Sequence, residues 1–272
     1  MFFLKRMGSA YRGITDRDWA LLSLETFCLV AGILIAFELN EWAAARSDAS
    51  KHDRLMERLF EETGNDVSFI RSMRDLLTEN LEHEKQLAVG LARGQCPPDM
   101  DFQALRTINR YPAISAPTSV YQELMGAGGL SSIDRRDVRD SLALFHTNLG
   151  WTEKQIDFFR SVKVDPVADD DVRMRVHLDP AAPDDPGKVT YDRSALCSDR
   201  GFQNRVAFAA RNHMVFTSYF EETLKDAINM CVILGDSLGR PCEPKWGGPL
   251  KGEDAKFAAE VVAKLRKESA AD

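Results

Sequence analysis

Apolar residues fall along this chain in two distinct rhythms. From Leu22 to Trp42 they are nearly continuous, LSLETFCLVAGILIAFELNEW, interrupted by Glu25 and then by Glu38, Asn40 and Glu41 near one end. From Ala43 to about Arg93 they recur at three- and four-residue steps or their multiples, at Leu55, Leu59, Ile70, Met73, Leu77, Leu81 and Leu91. That is the period of a helix with one buried face. The same period returns between Gly201 and Leu238, where Val206, Phe208, Val215, Phe216, Phe220, Leu224, Ile228 and Ile233 are available for a core. The pattern predicts an all-α fold with a stem helix over about 46–93 and a second long helix over about 201–238. Each apolar stripe needs a partner, so the two are expected to pack together, with helices inside 119–162 completing a helical bundle.

Shorter elements fill the intervals. Gly64-Asn65 is a weak point where the stem is expected to bend, and Gly94 with Pro97-Pro98 ends it. A short helix is expected near Asp101 to Asn109, then a loop, YPAISAPTS. Ser119 is placed to cap a helix running to Met125, and GAGGLSS reads as a turn. A helix starts at Asp134, and another runs from Thr152 to about Val162, with Thr152 and Gln155 as a capping box. Residues 164–200 are rich in proline and aspartate and read as a loop-rich insert, with one short strand or extended segment over Val172 to Leu178. A charged helix over Asp254 to Lys267 closes the pattern.

The continuous apolar run raises the question of a membrane. Between Glu25 and Glu38 lie twelve residues, which rise only about 18 Å against a bilayer core of about 30 Å. Trp19 to Trp42 is 24 residues, about 36 Å of helix, which crosses with some tilt. Tryptophan at both ends matches the aromatic belt of membrane spans. Glu25 is the costly residue, because a carboxylate at that depth must snorkel, protonate or find a partner. Three readings compete. One is a buried soluble helix. Another is a cleaved signal peptide, for which Ala43-Ala44-Ala45 supplies a site. The third is an uncleaved single-pass anchor, and it is favoured: the amino-terminal region is long for a signal peptide and carboxylates flank the apolar stretch. The expected organisation is a cytoplasmic segment at 1–18, a transmembrane helix at 19–45 and an extramembrane helical domain at 46–272. Lys5, Arg6, Arg12 and Arg17 precede the span; Arg46, Lys51 and Arg54 follow it. That small bias puts the amino terminus in the cytoplasm. Glu25, Leu29, Gly32, Ala36 and Asn40 form one stripe of the span, and Gly32 with Ala36 is a small-xxx-small pair of the kind that admits a second helix.

Charge and cysteine content narrow the picture. The net charge of −7 and the absence of a basic stripe interleaved with aromatics argue against nucleic acid as a partner. A mean hydropathy of −0.29 excludes a multi-span protein. Cys28 lies in the apolar run; Cys96, Cys197, Cys231 and Cys242 lie downstream with neither CxxC nor zinc spacing. Four spread cysteines fit two disulfides in an exported domain, with three connectivities open, or four unrelated buried thiols.

GILIAFELNEWAAAR, Gly32 to Arg46, followed by the charged helix near LMERLFEETGND, resembles an uncharacterised family of bacterial single-pass membrane proteins with an E…GILIAF..N.W…R anchor. SVYQELMGAGGLSSIDRRDVRDSLALFH, Ser119 to His146, is similar to that family's Y..L..SG.L..I.…LR..L..Y segment through Tyr121, Leu124, Gly129, Leu130, Ile133, Val138 and Leu142. Gly126-Ala127-Gly128 and Phe145 depart from the family pattern of serines and tyrosine. The resemblance covers about 60 residues of 272. It implies membrane anchoring and a helical domain of unknown function, but no chemistry. Combined with the charge bias, it places the chain in the bacterial inner membrane with a periplasmic carboxy-terminal domain.

Candidate chemistry is sparse. Asp169-Asp170-Asp171, with Asp165, lacks the glycine and closing glutamate of a calcium loop and reads as a solvated acidic loop. Glu82-His83-Glu84 points in different directions on a helix. His146 reads as a partly buried structural histidine, and GAGGL lacks the lysine and preceding strand of a phosphate loop. Paired ExxH motifs are missing from the sequence. No catalytic, cofactor-binding or metal residue is assigned. The expected function is a non-catalytic, membrane-anchored interaction or scaffold protein whose partners are lipid and another membrane protein or a second copy. A ligand-sensing exported domain is the alternative, and a polar pocket between the long helices would favour it.

Overall fold

The structure is a computed structural model that describes residues 16–177 and 188–270. The expected cytoplasmic segment 1–18 and the middle of the insert 164–200 therefore lie largely outside the described residues. The chain is mostly helical. Its elements are α1 (Asp16–Ala92), α2 (Asp99–Phe102) running into a 3₁₀ turn (Gln103–Arg106), α3 (Ser119–Gly126), a second 3₁₀ turn (Gly129–Ser132), α4 (Arg136–Ser161), β1 (Met174–His177), β2 (Lys188–Tyr191), α5 (Arg193–Ser198), α6 (Arg200–Ser237) and α7 (Gly252–Ser269). The chain divides into two compact units between Leu55 and Met56, ten residues beyond the boundary expected at 45/46.

In the first unit α1 carries an 18-residue window of mean hydropathy 1.6, none of it buried. Among the described residues α1 is the one helix long and apolar enough to cross a membrane. Phe27, Phe37 and Trp42 are each more than 60% exposed, and Arg46 lies over the Trp42 ring at 5.5 Å.

In the second unit the core follows the helical period. Leu59, Ile70, Leu77, Leu81 and Leu91 of α1 are buried as expected, joined by Met56, Phe60, Val67 and Leu87. Leu55 and Met73 are only half-buried. α6 is the central element. Phe202, Val206, Ala209, Ala210, Phe216, Phe220, Leu224, Ala227 and Ile228 are buried along it, with α4, α5 and α7 packed against it. The expected packing of stem on long helix is present: Leu87 and Leu91 share one apolar cluster with Phe202, Val206, Ala209 and Ala210. Phe208, expected in this core, is 52% exposed, and the neighbouring alanines take the buried positions.

Helix α1 is continuous through Gly64-Asn65. Gly64 serves packing: a Cβ there would stand 3.2 Å from the Glu243 carbonyl oxygen, and the Gly64 carbonyl accepts from Lys245 N at 3.4 Å. Ser119 does not cap α3. It is the first helical residue, and its hydroxyl donates to Glu62 Oε2 at 3.0 Å. The cap comes from the stem, where the Glu62 carboxylate accepts the backbone N–H groups of Val120 at 2.8 Å and Tyr121 at 3.1 Å. The two helices expected at 134 and 152 are one, α4. Thr152 is buried inside it, its hydroxyl 3.0 Å from that of Thr223. Packing on α6 carries the helix through Gly150, which local propensity alone reads as a break. The insert holds an antiparallel pair, Met174↔Tyr191 to His177↔Lys188, so the expected single strand has a partner.

Two disulfides fasten the connections. Cys96 and Cys197 (Cα–Cα 5.5 Å) join the end of the stem to α5. Cys231 and Cys242 (5.4 Å) fold the segment after α6 back onto it. That segment then crosses the stem. The buried Arg71 guanidinium donates to the carbonyl oxygens of Trp246, Gly248 and Pro249 at 2.9–3.2 Å. Arg74 joins α1, α6 and α7 by bonding Glu221 at 2.6 Å and Asp254 at 2.7 Å.

Candidate functional site

The stem bears a face near its end, Asn80, His83 and Glu84, against which the segment Met100–Arg110 folds. Pro97-Pro98 reverses the chain after the stem, and α2 starts at Asp99. Phe102, Ala104 and Ile108 are buried in the cluster with Leu87 and Leu91. The polar residues between them are thereby turned outward. Asn80, His83, Gln103, Thr107, Arg106 and Arg110, with Met100 and Ala104, line an open cleft of about 420 Å³, within the roughly 300–1,000 Å³ range of small-molecule sites.

Beneath the cleft lies a buried polar chain. Thr107 Oγ1 donates to Glu84 Oε1 at 3.3 Å, and Glu84 Oε2 lies 2.5 Å from His213 Nδ1 on α6. Glu84 and His213 are fully buried. The His213 ring meets Tyr111 edge-on at 5.9 Å. His213 Nε2 and the Tyr111 hydroxyl have no hydrogen-bond partner among the described residues. Burial, with the charges of Glu84 and Asp165 nearby, pushes the Tyr111 hydroxyl up to about 12, so it stays protonated at neutral pH. The chain is closed to solvent and holds the segment after α2 against the stem and α6; it offers no accessible acid or base.

Arg106 of the cleft differs from the other arginines that are buried or half-buried. Arg71, Arg74, Arg135, Arg173 and Arg193 are all bonded to carboxylate or carbonyl oxygens. Arg106, half-buried, and Arg110, exposed, have no bonded acceptor among the described residues. His83 Nδ1 is enclosed without a hydrogen bond, 3.9 Å from the buried Asp101 carboxylate.

The residues singled out from the sequence are placed as follows. Leu29, Gly32 and Ala36 are exposed together with Glu25 and Asn40, and a Cβ on Gly32 would meet nothing within 4 Å. Cys96, Cys197, Cys231 and Cys242 are all paired, and Cys28 is free. Asp171 is held by Arg173 at 2.6 Å, which lowers its carboxyl to about 2. His146 stacks on Tyr121 with centroids 3.4 Å apart, and burial lowers it to about 4. The GAGGL turn has positive φ at Gly128 and Gly129, which glycine adopts without strain. No group of three or more metal-ligating side chains occurs among the described residues. The cleft itself was missed from the sequence. Its signal was present in RTINR, two arginines four apart with no acid between them in a chain of net charge −7.

Comparison with protein-family profiles, curated proteins and solved structures gives no match.

Proposed function

We propose that this chain is a single-pass, membrane-anchored protein of the bacterial cell envelope, with its helical-bundle domain in the periplasm, acting without catalysis as an interaction or scaffold module. The observation that carries this reading is the unburied apolar stretch Leu24–Trp42 of α1, flanked by acidic and basic residues and ending at an exposed tryptophan. Two disulfides in the second unit add support for export, because such bonds persist in oxidising compartments. Lipid and a second membrane helix are the partners this reading requires. A signal peptide and a buried soluble helix are the competing readings of the same stretch.

The test has two parts. Carbonate washing of membranes is expected to leave the full chain in the pellet; release into the supernatant rejects the anchor. A Cys28→Ser chain carrying Glu260→Cys on α7 is then expected to react with a membrane-impermeant maleimide in intact spheroplasts. Labelling only after lysis would mean the opposite orientation. Ligand sensing is the second reading; the pocket it called for lies between the long helices, whereas the observation behind it is an open cleft between the stem and the Met100–Arg110 segment.

A further inference from the structure

We infer that the cleft beside the stem binds a small organic acid, its carboxylate held by Arg106 and Arg110 and its apolar body laid on Met100. This deepens the ligand-sensing reading and rests on it only for the consequence of binding. Four features lead there.

First, both guanidiniums lack a bonded acceptor among the described residues, in a protein whose other inward-facing arginines are taken up by carboxylates and carbonyls. Arg106 is half-buried, so it has lost hydration that no bonded group replaces. A planar fork of donors left open in this way suits a carboxylate, which it grips through two parallel N–H···O bonds. Second, the buried acids of this region do not bond the arginines. Glu84 is buried and bonded to His213 and Thr107, and Asp101 faces His83. Neither is bonded to the arginines. Third, Asn80, Gln103 and Thr107 add neutral polar groups, while Met100 is 63% exposed at the rim. A methionine is a compliant apolar surface for a ligand. Bare phosphate has no use for it. Fourth, the floor is fixed. The Thr107–Glu84–His213 chain and the Cys96–Cys197 bond secure both ends of the segment that carries the arginines. The site is thus organised before the ligand arrives, which lowers the entropic cost of binding.

The test uses the full chain in detergent micelles and three probes: benzoate, neutral benzamide of the same shape, and inorganic phosphate. Benzoate is expected to bind saturably in the millimolar range or tighter by calorimetry and to raise the unfolding temperature, with benzamide silent. Arg106→Gln and Arg110→Gln are each expected to weaken benzoate by about tenfold or more, the loss of one charge-assisted contact. Arg110 is exposed, so its variant keeps the fold and preserves the test should the Arg106 variant misfold. Absence of saturable benzoate binding, or binding unchanged in both variants, overturns the assignment. Phosphate binding as tightly as benzoate overturns it too, since the apolar wall would then contribute nothing. Failure of sensing is a separate result: benzoate binds, but crosslinking between membrane helices does not change with it.

Discussion

Asp66 sits one helical turn after Glu62 on the stem, and both carboxyl groups are buried. Glu62 accepts three donors at the start of α3. Asp66 is 1% exposed, and its Oδ1 has no partner among the described residues. Burial first, and the Glu62 charge second, push it up to about 9. At neutral pH it is therefore a neutral acid in the folded protein. The unfolded chain ionises near the ordinary value of 3.8, so folding at neutral pH takes up a proton. The stability held through this group is complete below that value and is lost as pH rises toward 9. Asp66→Asn removes the titration while keeping the shape. It is expected to leave stability near pH 4 almost unchanged and to raise it at pH 8, by on the order of 1–3 kcal/mol after local relaxation. Thermal unfolding of both chains across pH 4–9 checks this, and parallel pH profiles would reject it. Neither carboxyl role was legible in the sequence, where Glu62 and Asp66 look like two more charges on a helix.

At the scale of elements, the sequence was most readable where one period runs long. The stem, α6 and α7 end within a residue or two of their expected bounds because breakers or caps coincide with the end of the apolar stripe. It was least readable where distant residues decide. Gly150 and Thr152 look like a boundary, yet α6 lies against that face and Thr223 satisfies the threonine. The strand partner Lys188–Tyr191 alternates polar and apolar over only four residues, too short to announce itself, and its pairing is set by β1. The cap of α3 comes from a residue more than fifty positions away. The arginine cleft depends on the same kind of long-range placement. Two glycines separate propensity from packing. At Gly150 a Cβ would meet nothing within 4 Å, so Gly150→Ala is expected to stabilise α4 by about 0.5–1 kcal/mol. At Gly235 a Cβ would collide with the Arg240 carbonyl oxygen and stand 3.2 Å from the Phe60 ring. Gly235→Ala is expected to cost about 1–3 kcal/mol. Chemical denaturation of the two variants should move in opposite directions; a shift of the same sign would refute this reading.

For the molecule as a whole, covalent ties and the apolar stretch set how the chain exists in its surroundings. Cys96 and Cys197 are 101 positions apart, and Cys231 and Cys242 only 11. Closing the longer loop removes more freedom from the unfolded chain. Replacing both cysteines of the first pair by alanine is therefore expected to cost about 2 kcal/mol more than replacing both of the second. Equilibrium denaturation of the two double variants measures the difference. The apolar stretch poses the remaining problem, a carboxylate at Glu25 within an apolar helix. Glu25, Leu29, Gly32, Ala36 and Asn40 recur at steps of four, three, four and four, so they lie on one face. All five are exposed in the single chain, and the space beside Gly32 is open. In lipid, close packing of small residues and shared polar contacts drive helix association, because hydrocarbon tails are as apolar as leucine. A second helix seated on Gly32 and Ala36 would bring polar groups to both ends of the stripe and relieve Glu25 of facing lipid alone. The rival account has Glu25 snorkelling to the headgroups, with Gly32 incidental. The two accounts part on one substitution. Gly32→Leu makes the stretch more hydrophobic, so it improves insertion under either account, but it blocks close approach. Under the interface account, crosslinking in native membranes between copies, or to a neighbouring membrane protein, falls several-fold in Gly32→Leu. Glu25→Leu weakens it as well. If both variants insert and crosslink like the parent chain, the stripe is no interface, and Glu25 marks only the depth at which the helix enters the membrane.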